Sequence, residues 1–255
     1  MKKICSIVDC NEIALRIYPL FNNKPYFIRL ALCKQHSKEA NESLKNNWKV
    51  LNLYAGIGGN RKLWKNVKVI AVEWDKKIAA IYQDFFPNDE VLVVDAHATL
   101  PGLMENGKFD FIWSSPPCPS HSIIRKNSAV ARGQNKPIYP DMKLYEEIIF
   151  LKGHFKGKWV VENVKSWYNP LIKPYELGGH YFWSNFPLVD IKNNRNREHD
   201  SKVEVLQDRK GFDLSKYNNL GIEKKLLLRN CVEPELGLHI LNMARSDKQQ
   251  KLTTK

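Results

Sequence analysis

Five continuous apolar runs recur along the chain: KVLNLY (49–54), KVIAVE (68–73), EVLVVD (90–95), FDFIWS (109–114) and KWVVEN (158–163). Runs without a polar alternation read as strands covered on both faces. Helical patterns separate them. The segment after Asp75 sets Ile78, Ala79, Tyr82, Phe85 and Phe86 on one side, and 141–155 opens on the start signal Pro140-Asp141. HYFWSNFPL (180–188) reads as a sixth strand. Strands alternating with helices predict an α/β fold with a parallel, doubly wound sheet. A chain of 255 residues, 43% hydrophobic, is enough for one such core and a small accessory module.

Ligands of doubly wound sheets bind beyond the carboxyl ends of the strands. The unusual residues of this chain lie there. AGIGG (55–59) follows the first strand, Glu73 closes the second, Asp95 the third, SSPPCPS (114–120) follows the fourth, and Glu162-Asn163 close the fifth. The glycines permit a tight turn and close backbone approach to a ligand. They lack the G-x-G-x-x-G spacing of dinucleotide sites. An acid at the second strand end suits ribose hydroxyls, and one at the third suits an amine. The ordered set fits S-adenosylmethionine better than a phosphate-rich cofactor. Taken singly, each acid is equally well a helix cap or a surface carboxylate.

Prolines cannot continue a ladder, so SSPPCPS forces an exit from the sheet and holds Cys118 stiffly. A thiol attacks as thiolate, and a rigid, polar strand exit near a helix start is a place to lower its pKa. The plain alternative is a small buried hydrophobe. Glu162, on the neighbouring strand end, offers a carboxyl group to the same pocket, and nucleophile plus acid make a catalytic pair.

These segments resemble the DNA (cytosine-5)-methyltransferase family, in its compact phage-borne form. LYAGIGG, VEWD, VVDA, SSPPCPSHS, VVENV and RNCVEPELGLHIL resemble its motifs in the family's order, over about residues 49–245. The resemblance implies a Rossmann-like S-adenosylmethionine-dependent methyltransferase sheet over 46–188. It implies a small irregular target-recognition insertion over 189–229 and a helix, 230–247, returning to the core ahead of a disordered tail at 248–255. It implies that Cys118 adds to carbon 6 of a flipped cytosine and that Glu162 holds ring nitrogen 3 and the amino group. The donor would meet Tyr54, Ala55, Gly56, Ile57, Gly58 and Gly59, then Glu73 and Trp74, Asp95 and Ala96, Pro116, Asn230 and Val232. Ser120, Arg125, Lys126, Arg132, Arg195 and Arg197 would meet double-stranded DNA. The chain departs from the family at three points. Asn52 stands for an aspartate, Arg229 for a glycine, and YELGGH (175–180) stands where Q-x-R-x-R, with an arginine that helps hold the flipped base, is expected.

The net charge of +13 agrees with a polyanionic partner, although a Lys- and Asn-rich surface gives the same sum. The motifs leave open methyl transfer to cytosine in RNA, and a catalytically impaired DNA-binding relic. No stretch approaches the roughly 20 apolar residues of a membrane span. MKKICSIVDC is no signal peptide, so the expected place is the cytoplasm of a bacterium or of a phage-infected host, and the expected state a monomer. Residues 1–45 carry Cys5-x4-Cys10 and Cys33-x2-His36, a Cys3His set with the spacing of a structural zinc module. Three unrelated cysteines and a surface histidine are the alternative.

Overall fold

The structure is a computed structural model, and it describes residues 16–19, 29–32, 47–123, 138–190 and 202–253. Cys5, Cys10, Cys33 and His36 lie outside those residues, as do Arg125, Lys126, Arg132, Arg195 and Arg197. Two units divide the chain at Asn47. In the first, β1 (Arg16–Pro19) and β2 (Arg29–Leu32) pair antiparallel, with Arg16 opposite Leu32.

The second unit is built on the apolar runs. They become β3 (Trp48–Leu53), β4 (Val67–Val72), β5 (Glu90–Leu92), β6 (Phe111–Ser114) and β7 (Lys158–Val164), followed by β8 (Tyr175–Leu177) and β9 (His180–Ser184). The sheet order is β5-β4-β3-β6-β7-β9-β8. Strands β3 to β7 are parallel. The last two depart from the all-parallel expectation: β9 is antiparallel to β7, and β8 to β9. The cause is local. A connection of two residues, Gly178-Gly179, can only join antiparallel neighbours. The chain order reverses between β3 and β6, which makes the gap beyond their carboxyl ends the place for a ligand.

Each strand sends alternate residues to opposite faces. On one face Val50, Val69, Phe111, Trp113, Val160 and Phe182 form a core. It is covered by α1 (Lys76–Phe85), by α4 (Val203–Lys210) through Leu206, and by α6 (Pro234–Thr253) through Leu236, Ile240, Leu241 and Ala244. On the other face Leu51, Leu53, Ile112, Trp159, Val161 and Trp183 pack against α2 (Ala96–Asn106) and α3 (Lys143–His154). Helix α2 was not anticipated, because Pro101 and Gly102 sit in its middle.

Residues 189–229 were expected as an irregular recognition insertion. Over their described part they form α4, a 3-10 segment (Ser215–Leu220) and α5 (Lys224–Asn230). Leu206, Phe212, Leu214, Leu227 and Leu228 join the core. So few inward positions in so polar a segment left no helical period to read. Helix α6 continues to Thr253, past residue 247, where a disordered tail was expected to follow. No helix among the described residues is long and apolar enough to cross a membrane.

Candidate active site

The turn after β3 is shaped by its backbone. Tyr54 and Gly56 both have positive φ, 55° and 57°. A left-handed tyrosine is uncommon and needs an anchor. Its hydroxyl donates to Glu147, a carboxylate only 1% exposed on α3. Ser114 Oγ donates to the same carboxylate at 2.5 Å, and His97 Nδ1 lies 3.1 Å from it. A side chain at Gly56 would meet nothing within 4 Å, so this glycine faces open space. Gly59 is the opposite case: a Cβ there would lie 2.6 Å from both Cys231 Cβ and Val232 O. The segment after α5 therefore does fold back against the glycine turn. It is held by Lys210, buried at the end of α4, which donates to Cys231 O and, at 3.0 Å, to Glu233. Asn230 ends α5 on the surface, and Val232 is buried. Ala55 and Ile57 point into the core.

Asn52, where the resemblance implies an aspartate, is fully buried, and Asn60 Nδ2 donates to its Oδ1 at 2.7 Å. A neutral amide pair thus fills a position where a carboxylate would need a charged or multiple donor.

Glu73 ties the turn to the second strand end. One carboxylate oxygen accepts from Gly56 N at 2.9 Å and the other from Asp75 N at 3.0 Å. Burial raises its carboxyl above the ordinary value, against the pull of those bonds. The neighbouring Trp74 is 77% exposed. Asp95 is exposed and caps α2, accepting from Ala98 N at 3.0 Å, a bond that lowers its pKa; Ala96 behind it is buried. An open glycine turn, an exposed indole, a carboxylate just past β4 and another capping the helix that follows β5 suit a nucleoside. They provide a flat surface for the ring and acceptors for hydroxyl and amino groups.

Beyond β6 the chain leaves the sheet through buried Pro116 and exposed Pro117 to half-buried Cys118. His121 N and Ser122 N donate to Cys118 O at 2.9 and 3.1 Å, closing a turn behind the thiol. Asn163 Nδ2 donates to Pro116 O at 3.0 Å, so the residue after Glu162 pins the Cys118 loop to β7. Trp167 N reaches His121 O, and Trp167 Nε1 reaches Ser120 O, each at 3.0 Å. Ser120, expected to face DNA, is instead buried, and its hydroxyl accepts from Asp141 N at 3.0 Å. It belongs to the loop's internal bonding.

The thiol itself corrects an expectation. Its pKa is not lowered but pushed up to about 11, first by burial and then by the negative charge of Glu162. The strand exit brings the Glu162 carboxylate to the sulfur. Glu162 is buried at the end of β7, and His180 Nδ1 lies 2.6 Å from its Oε1.

Four residues in this region have partners that the sequence reading did not give. Asn163, named only as closing the fifth strand, bonds Pro116 O, and His180 bonds Glu162 through the register of β7 and β9. Glu147 lies inside a helix that reads as packing. His121 is 1% exposed, with Nδ1 2.6 Å from Tyr168 Oη and Nε2 without a partner.

Residues 48–171 match the family model of C-5 cytosine-specific DNA methylases. That span runs from the start of β3 to just past β7 and contains Cys118 and Glu162. The chain is 26% identical over 171 residues to the Type II methyltransferase M.HpaII of Haemophilus parainfluenzae, covering 61% of this chain and 44% of the relative. It thus spans less than half the length of that curated relative. Similar solved structures include a variant of Spodoptera frugiperda DNMT2, with 18% identity and a TM-score of 0.42 over 58% of this chain and 54% of that one. A hypothetical protein of Thermus thermophilus shows 16% identity and a TM-score of 0.38 over 67% of this chain and 91% of that one.

Proposed function

We propose that this chain transfers a methyl group from S-adenosylmethionine to carbon 5 of cytosine in DNA, through a covalent adduct of Cys118. The supporting observation is the placement of Cys118 and Glu162. Cys118 follows β6 and Glu162 lies near the end of the adjacent parallel strand β7, close enough for the carboxylate charge to oppose thiolate formation. The match to the family model of C-5 cytosine-specific DNA methylases over 48–171 supports cytosine in DNA as the substrate.

Cys118 Sγ forms a bond to ring carbon 6, which breaks the 5,6 double bond. Glu162 holds ring nitrogen 3, where the displaced electrons collect; the proton lost by the thiol balances the one gained there. While the pocket is empty, burial and then the Glu162 charge keep the thiol protonated. A seated base whose nitrogen 3 shares a proton with Glu162 offsets the second of these, which couples attack to a correctly placed base. S-adenosylmethionine supplies the electrophilic methyl group that carbon 5 takes. Loss of the carbon-5 proton to solvent base expels Cys118, which takes back the proton from nitrogen 3, and the ring is restored as neutral 5-methylcytosine. Carbon 6 is hidden in a duplex, so the cytosine must leave the stack. Tyr54 to Gly59, Glu73, Trp74 and Asp95 would hold the donor, and Asn163 would hold the nucleophile loop.

The test is transfer of labelled methyl to duplex DNA and, in parallel, to tRNA. The label is expected at carbon 5 of cytosine in the DNA. Label in the tRNA alone makes RNA the substrate, and label in neither overturns the activity. The Cys5, Cys10, Cys33 and His36 set is proposed, on spacing alone, to hold one structural zinc. Metal analysis of protein never exposed to chelator is expected to find about one zinc per chain, and finding none rejects the ligand set.

A further inference from the structure

The segment YELGGH, which stands where the family's arginine is expected, is a hairpin that delivers a histidine. Gly178 and Gly179 have φ of 52° and 82°, the two positive values a tight two-residue turn requires. Leu177 therefore pairs with His180, and His180 is fixed as the first residue of β9. Strand β9 in turn pairs with β7, with Glu162 opposite Phe182 and Val164 opposite His180. Opposed residues share a face of an antiparallel pair, and so do residues two apart. Glu162 and His180 are thus diagonal neighbours on one face, within reach of long side chains. The result is the 2.6 Å contact between Nδ1 and Oε1, with 24% and 9% of the two side chains exposed.

A carboxylate can only accept, so Nδ1 carries the hydrogen in this contact, whether the ring is neutral or charged. Among the described residues no other group bonds the Glu162 carboxylate. Its rotation is then set by one imidazole, which engages Oε1 and leaves Oε2 for a ligand. Rotation about that carboxyl torsion is otherwise soft.

We propose that His180 is a positioning residue: it orients Glu162 toward the base in the absence of the expected arginine. The proposal rests on the methyltransferase reading above. It assigns a role to a histidine outside every motif of the sequence.

The test uses the full chain, with methyl transfer to duplex DNA measured as kcat and KM for DNA separately. His180→Ala is expected to lower kcat by on the order of 10²-fold, as loss of a positioned acid does, while KM for DNA stays within about threefold. His180→Asn, whose amide nitrogen can replace Nδ1–H, is expected to recover most of that loss. His180→Phe keeps the bulk without the donor and is expected to behave as His180→Ala does. Equal kcat in wild type and His180→Ala overturns the proposal, and so does an asparagine variant no better than the phenylalanine one. If His180→Ala does not fold, the contrast between asparagine and phenylalanine decides alone. A wild-type chain that methylates nothing overturns the activity itself and takes this role with it; an active wild type indifferent to residue 180 overturns only the role.

Discussion

At the residue scale, Cys118 is a half-buried thiol beside a carboxylate. Burial and the Glu162 charge hold Cys118 near 11, so alkylation by iodoacetamide at neutral pH is expected to be slow. Glu162→Gln removes the second cause and leaves the first. The pH midpoint of alkylation, followed on the Cys118 peptide by mass spectrometry, is expected to move down but to stay above that of a free thiol. An unchanged midpoint would mean that the carboxylate does not act on the sulfur. Asp95 has two separable roles, cap and proposed donor ligand. Asp95→Asn keeps a capping oxygen, so stability is expected to hold while donor affinity by calorimetry falls. Asp95→Ala should also lose about 0.5–2 kcal/mol of stability in urea titration. Equal donor affinity in wild type and both variants would reduce Asp95 to a cap. Cys118 and Glu162 were legible because PPC and ENV are local strings at strand ends. The direction of the thiol shift was not, since it depends on what burial brings beside the sulfur. His180 was hidden for a similar reason: its contact spans 18 positions and exists only through the register of β7 and β9.

At the element scale, the glycine turn and the returning C-terminal segment form one unit. Gly59→Ala would push a methyl into Cys231 Cβ and Val232 O, both at 2.6 Å, and the Cys231 carbonyl is itself held by Lys210. The expected loss is about 1–3 kcal/mol in urea titration, with weaker donor binding as the turn shifts. Unchanged stability would mean that residues 231–232 are not packed on the turn. Strands β3, β6 and β7 were legible because runs buried on both faces admit no polar alternation; β5, at the sheet edge, ends at Leu92 and leaves Val93 and Val94 exposed, so its run was not covered on both faces as expected. Helix α2 was not, with Pro101 and Gly102 inside it, and α4 was obscured by its charged residues. The paired-glycine turn at 178–179 is a local signal, but its meaning for β9 depends on the register with which that strand pairs.

At the scale of the whole molecule, a net charge of +13 bears on association rather than on fold. Binding to duplex DNA is expected to weaken steeply between roughly 50 and 200 mM salt, by a factor on the order of 10³ or more if six or more phosphates are neutralised. A flat salt dependence in fluorescence anisotropy would assign the lysines to solubility alone. The order of elements, and the strand ends where chemistry gathers, followed from strand–helix alternation. The antiparallel edge did not, because a parallel sheet and a mixed one share the same apolar runs until a short turn distinguishes them.

The central claim, a cysteine that bonds covalently to the cytosine ring, is tested most directly with duplex DNA carrying 5-fluorocytosine at the target, in the presence of S-adenosylmethionine. Fluorine cannot leave carbon 5 as a proton does, so elimination stalls and the adduct accumulates. Wild-type protein is expected to give a denaturant-stable protein–DNA complex, with the modified peptide containing Cys118. Cys118→Ser is expected to give none, since a hydroxyl is a far weaker nucleophile than a thiolate. Cys231→Ser is expected to trap normally, because Cys231 is buried against the glycine turn. Trapping that survives Cys118→Ser, or a wild-type chain that methylates this DNA's unfluorinated counterpart yet never traps, would contradict the account.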